Sequence, residues 1–110
     1  MCADPARPPE TVLRVALFVL YTEKMTECRA FYEQLGLRFE TEKHGSGPEH
    51  FAAVFPDGCV FEIYPATAGK VTGAVRLGFA GSGASLTPPL DPGRHLLKDP
   101  DGRTVEISAK

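Results

Sequence analysis

Two glutamates stand at the same place in two copies of one phrase. PDGCVFEI (residues 56–63) returns as PDGRTVEI (residues 100–107), and each copy sets a turn before an apolar run broken by one carboxylate, Glu62 and then Glu106. Two arginines recur in the same way, Arg14 in RVALF and Arg76 in RLGFA. A guanidinium keeps its proton at ordinary pH and has no lone pair for a cation, but it pairs bidentately with carboxylates and phosphates. Strand alternation sets each charge opposite an apolar face: Arg14, Ala16 and Phe18 against Val15, Leu17 and Val19; Arg76, Gly78 and Ala80 against Leu77 and Phe79; Glu62 against Phe61 and Ile63; Glu106 against Val105 and Ile107. The expectation is an interior cluster of Arg14, Glu62, Arg76 and Glu106 that binds a polar or anionic ligand. Solvated strand faces and a metal site on the carboxylates are the competing readings.

Other side chains could join such a site. His50, Ala52 and Val54 share a strand face, which lets His50 look toward Glu62, and Tyr64 lies on the Glu62 face. No cofactor is expected; if a divalent metal binds, Glu62, Glu106 and His50 are its expected ligands. His44 sits at a turn and reads as solvated, and His95 has nothing in its spacing to single it out. Phe18, Phe51, Phe55 and Phe61 suit either an apolar pocket or the core. GSGAS (residues 81–85) lacks the Lys-Ser/Thr and the helix that a phosphate loop needs, so it reads as a connection.

The 110-residue chain carries a formal charge of -2 with no block of Lys or Arg, which gives no electrostatic footprint for nucleic acid or an anionic membrane. The longest apolar run, residues 15–21, falls far short of the roughly 20 residues that span a bilayer. The N-terminus lacks the charged start and apolar stretch of a signal peptide, so the expected location is the cytoplasm. Three cysteines, Cys2, Cys28 and Cys59, are an odd number without zinc or redox spacing and read as free thiols.

The elements that must position these residues follow from periodicity. Residues 1–10 read as a flexible tail, and residues 11–110 as one domain of two modules, about 11–68 and 69–110. A strand over 13–20 leads to a helix capped by Thr22, with Cys28, Phe31, Tyr32 and Leu35 in one stripe and Gly36 at its stop. Strands near 37–43, 49–55 and 59–65 complete a βαβββ module. The second module reads as a strand over 74–80, an irregular Gly/Pro-rich loop that forbids a helix, and a hairpin closed by DPDG. Glu62 and Glu106 are 44 positions apart and Arg14 and Arg76 are 62 apart, so the second copy is expected to lack 18 residues, about one helix with its connection.

These words in this order, RVALFV, AFYEQLGL, FEIYP, RLGFA and KDPDGRTVEIS, resemble the vicinal oxygen chelate superfamily of glyoxalase I, extradiol dioxygenases and bleomycin-resistance proteins. The resemblance implies an α+β fold of paired βαβββ modules curved into a cup, here with the second helix missing. In metal-dependent members each module gives a His from its first strand and a Glu from its last. The resemblance places Glu62 and Glu106 at the glutamates and puts Arg14 and Arg76 where imidazoles would be.

Without a second helix, Val75, Leu77, Phe79, Val105 and Ile107 would form an outward apolar face, covered in part by Leu86, Leu90 and the tail; this predicts a homodimer. Three functions compete: a metal-independent protein that binds a small polar or aromatic molecule, a metal-dependent lyase, isomerase or dioxygenase using Glu62 and Glu106, and a non-catalytic dimerisation or interaction module.

Overall fold

The computed structural model describes residues 11–67 and 69–110; the expected tail, with Cys2, lies outside the described residues. The elements are β1 (Leu17–Thr22), α1 (Met25–Gln34), β2 (Glu40–Glu42), β3 (His50–Val54), β4 (Val60–Pro65), β5 (Leu77–Gly81), β6 (Gly93–Lys98) and β7 (Thr104–Ala109), with a 3-10 turn at Gly83–Ser85. They build two mixed sheets, ordered β1-β4-β3-β2 and β5-β7-β6. The fold is α+β, and each sheet pairs its first and last strands in parallel. The second sheet repeats the order of the first without an equivalent of β2, and no α-helix stands between β5 and β6.

The repeated phrase makes the same turn twice. Phe55 N–H donates to the Cys59 carbonyl at 2.8 Å and Gly58 N–H to the Phe55 carbonyl at 2.9 Å; Asp99 N–H to the Arg103 carbonyl at 3.0 Å and Gly102 N–H to the Asp99 carbonyl at 2.8 Å reproduce both bonds. Gly58 and Gly102 hold φ of 92° and 84°, the left-handed region that a side chain resists.

β1 begins at Leu17, later than the sequence suggested, because its parallel pairing with β4 starts with Leu17 opposite Val60. The pairing sets Val19 opposite Glu62 and Gly78 opposite Glu106. Val19 and Gly78 are 59 positions apart, whereas Arg14 and Arg76 are 62 apart. The structural counterpart of Arg76 is therefore Leu17, and the second module lacks 15 residues, not 18. A three-residue slip is odd, so it also exchanges the two faces of a strand.

One helix serves both sheets. Cys28 and Tyr32 on α1 are buried together with Phe61 and Ile63 of β4 and Val105 and Ile107 of β7. The Tyr32 ring meets Phe61 edge-on at 5.0 Å and Phe79 of the second sheet at 6.3 Å. This corrects the expected outward apolar face. Val105 and Ile107 are core, Leu77, Phe79, Leu86 and Leu90 pack against that core, and Val75 stays exposed. Because Phe61, Ile63, Val105 and Ile107 face one core, alternation turns Glu62 and Glu106 away from it. Thr22 does not cap α1 as its boundary residue; it ends β1, and its Oγ1 accepts the Lys24 N–H at 2.9 Å.

Candidate functional site

The outer face of the first sheet gathers Glu42, His50, Glu62 and Tyr64. The β2–β3 pairing sets Glu42 opposite His50, and alternation along β3 and β4 brings Glu62 and Tyr64 to the same side. His50 is 1% exposed, although it begins a strand at the sheet margin. Its ring stacks on Tyr64 with centroids 4.2 Å apart and an angle of 8°. Its Nε2 lies 3.3 Å from Glu42 Oε1 and 3.7 Å from Glu62 Oε2. His44, exposed as expected, places its Nε2 3.4 Å from the same Glu42 oxygen. Burial, then the charge of Glu62, pushes the Tyr64 hydroxyl up from its ordinary pKa.

The outer face of the second sheet holds a different arrangement. Arg76 and Arg94 both donate through Nη2 to Glu106 Oε1, at 2.8 Å and 3.0 Å. The Arg94 bond, then the Arg76 bond, hold the Glu106 carboxyl down at about 2. Arg94 is a partner that the sequence reading missed; its signal was alternation along β6, which carries Arg94, Leu96 and Lys98 on the face of Glu106.

The four expected charges thus divide. Arg76 and Glu106 pair, Glu62 meets His50, and Arg14 joins neither group. Arg14 lies five residues before Val19, the residue opposite Glu62, roughly 15 Å along an extended chain. Its Nη1 donates to the Val15 carbonyl at 3.3 Å, and its guanidinium lies against Gly58 of the first PDG turn.

Arg14 and Arg76 do both line one cleft, of about 630 Å³, between the two sheets. Phe18, Phe55 and Phe79 line it, and its lining is mainly apolar. The rings of Phe18 and Phe55 stack at 6.0 Å, and those of Phe55 and Phe79 at 5.9 Å, so the lining bridges the sheets. Of the other aromatic candidates, Phe61 is core and Phe51 lies under the Arg29 guanidinium, 4.6 Å from its ring centroid. His95 Nε2 contacts the Asp91 carbonyl at 2.7 Å, apart from all of these.

The second PDG turn also carries a buried network that the sequence reading treated as a turn alone. Asp99 accepts from Tyr32 Oη at 2.7 Å, from Arg103 Nη1 at 2.9 Å, and from the Asp101 and Arg103 backbone N–H groups at 2.9 Å each. Arg103 also pairs with Asp101 at 3.0 Å, which accepts from Thr22 at the end of β1. Burial alone would raise the Asp99 pKa, but these bonds bring it below the ordinary carboxylate value. The network ties the turn to α1 and β1. Beside it, burial outweighs the Thr22 contact and pushes the Cys28 thiol up to about 11, leaving it a poor nucleophile.

Solved structures share this fold. A possible glyoxalase from Bacillus cereus superposes with a TM-score of 0.60 at 15% identity, over 89% of this chain and 100% of that one. A glyoxalase/dioxygenase from Nostoc punctiforme gives 0.61 at 20% identity, over 96% and 97%. TnmS3, an antibiotic-binding protein from Streptomyces sp. CB03234, gives 0.60 at 16% identity, over 92% and 98%. No family model and no curated protein matches the sequence. The chain has the vicinal oxygen chelate fold.

The divalent ion of metal-dependent members of that fold does not fit the corresponding residues. Arg14 and Arg76, at the implied imidazole positions, offer no lone pair, and Glu106 is engaged by the guanidinium groups of Arg76 and Arg94. Among the described residues no helix is long and apolar enough to cross a membrane.

Proposed function

We propose that the protein binds a small organic molecule with an aromatic or apolar body and an anionic group, in the cleft between its sheets and without a metal. The observation that carries this reading is that Arg14 and Arg76 line the same cleft as Phe18, Phe55 and Phe79. Its volume lies within the range of about 300–1,000 Å³ for small-molecule sites. The aromatic lining would take the body of the ligand by area burial and stacking. Arg76 shares Glu106 with Arg94, so it can turn toward a ligand carboxylate or phosphate while Glu106 keeps a partner. Asp57, the carboxylate in the cleft lining, accepts the Cys59 N–H at 3.0 Å and serves the turn. The antibiotic-binding description of one structural neighbour agrees with a binding role.

The test is calorimetric titration with naphthoate and related aryl carboxylates, each beside its neutral amide. The carboxylates should bind in the presence of EDTA, and Arg14→Ala should weaken them about tenfold or more, the loss of one charge-assisted hydrogen bond. Equal binding of acid and amide, or an absolute need for metal, sets the reading aside. We keep the homodimer and the cytoplasm as further proposals. With the inner face covered, association rests on the exposed Leu17 and Val54 of the first sheet's outer face. Sedimentation showing a monomer at every concentration would remove it.

A further inference from the structure

We propose that Glu42, His44 and His50, with Glu62 as a fourth donor, form a binding site for a divalent first-row transition metal on the outer face of the first sheet. One ligand atom from each of Glu42, His44 and His50 falls within 4.8 Å of the others. Donors about 2.0–2.1 Å from a tetrahedral ion are separated by about 3.4 Å. Here Glu42 Oε1 lies 3.3 Å from His50 Nε2 and 3.4 Å from His44 Nε2, and Glu62 Oε2 lies 3.7 Å from His50 Nε2.

The protons make the stronger argument. The Pro48 carbonyl can only accept, so His50 Nδ1, 3.2 Å away, carries the hydrogen of that contact. In the neutral ring the lone pair is then on Nε2, the atom that faces two carboxylates. Those groups also only accept; the Tyr64 hydroxyl, 3.4 Å from Nε2, can give its hydrogen to a single acceptor but brings no positive charge. A proton on Nε2 would supply one, at the cost of burying an imidazolium, and it could be directed at only one carboxylate. A divalent ion uses every lone pair at once and balances both carboxylates. The Pro48 contact is the outer hydrogen bond that orients a ligating imidazole. His44, 73% exposed, gives the ion a way in. Two imidazoles and two carboxylates suit zinc, nickel or cobalt better than calcium or magnesium.

This site differs from the two-module metal arrangement implied by the resemblance: all its donors come from the first module, three of them from the β2–β3 hairpin and its turn. It is independent of the cleft, so either assignment can fail alone.

The experiment takes the full chain stripped with EDTA and titrates it with Co2+ by visible absorption and with Zn2+ by calorimetry. We expect one ion per chain, tetrahedral-type cobalt bands, and a shift of the His50 Nε2 resonance in 15N NMR. His44→Ala and Glu42→Gln, both at accessible positions, should each weaken uptake on the order of 10–100-fold, at least the cost of losing an orienting partner. Glu106→Gln should leave it unchanged. No saturable uptake, or uptake indifferent to His44→Ala and Glu42→Gln, overturns the proposal; the latter result would place the ion elsewhere.

Discussion

The two copies of the PDG phrase make one turn and one strand, yet their glutamates have opposite surroundings. Glu62 faces a buried imidazole beside a second carboxylate, while Glu106 is gripped by two arginines. The turns diverge as well. Asp57 in the first holds a single backbone N–H, whereas the second builds the Asp99–Arg103 pair into the interior. A repeated backbone therefore fixes where a carboxylate stands, and the strands beside it decide what it does: β3 brings His50 to one copy, and β5 and β6 bring Arg76 and Arg94 to the other.

Breaking the second turn should have the largest effect. Arg103→Met leaves Asp99 buried without its ionic partner, and Asp99→Asn weakens the same network. The arginine substitution should cost about 3–5 kcal/mol in urea denaturation, the range for breaking a buried pair. In the first turn, where Phe55 and Cys59 stand at the positions of Asp99 and Arg103, Asp57→Ala removes one side-chain hydrogen bond and should cost about 1 kcal/mol. Equal losses in the two turns would erase the contrast between them.

The smallest effect belongs to Glu106→Gln, because its arginines are exposed and salt screens them. The sign with pH is fixed. A carboxyl whose folded pKa lies below its ordinary value contributes stability above that ordinary value and loses it as pH falls through the folded one. The stability difference between the native chain and Glu106→Gln should thus be complete above pH 4.5, shrink toward pH 2, and diminish in high salt. Asp99, also lowered, adds acid sensitivity below 3.8. A difference that grows on acidification would contradict the Arg–Glu106–Arg assignment.

Much of the fold was legible because its signals are local. The stripe of Cys28, Phe31, Tyr32 and Leu35 and the stop at Gly36 marked α1, and alternation placed Glu62, His50 and Tyr64 on one face. Arg76 and Glu106 were also joined correctly. Arg14 was misplaced because RVALF and RLGFA align in letters three residues away from where they align in pairing; register belongs to the partner strand, and no single strand carries it. Phe79 was assigned to an outer face because nothing in the second module could cover it, while the cover came from Tyr32 of the first. His44, read only as a solvated turn residue, and Glu42, not singled out at all, were left out of the site for a similar reason. Each is ordinary alone, and their meeting with His50 needs the hairpin register that sets Glu42 across from it.

The most direct test of a ligand site between the sheets is an NMR titration of the full chain with an aryl carboxylate such as naphthoate, followed through the aromatic rings and arginine side chains. The cleft assignment predicts shifts concentrated at Phe18, Phe55, Phe79 and Arg14, with His50 and Tyr64 unmoved. Shifts concentrated at His50, Glu62 and Tyr64, with the cleft rings silent, would contradict it.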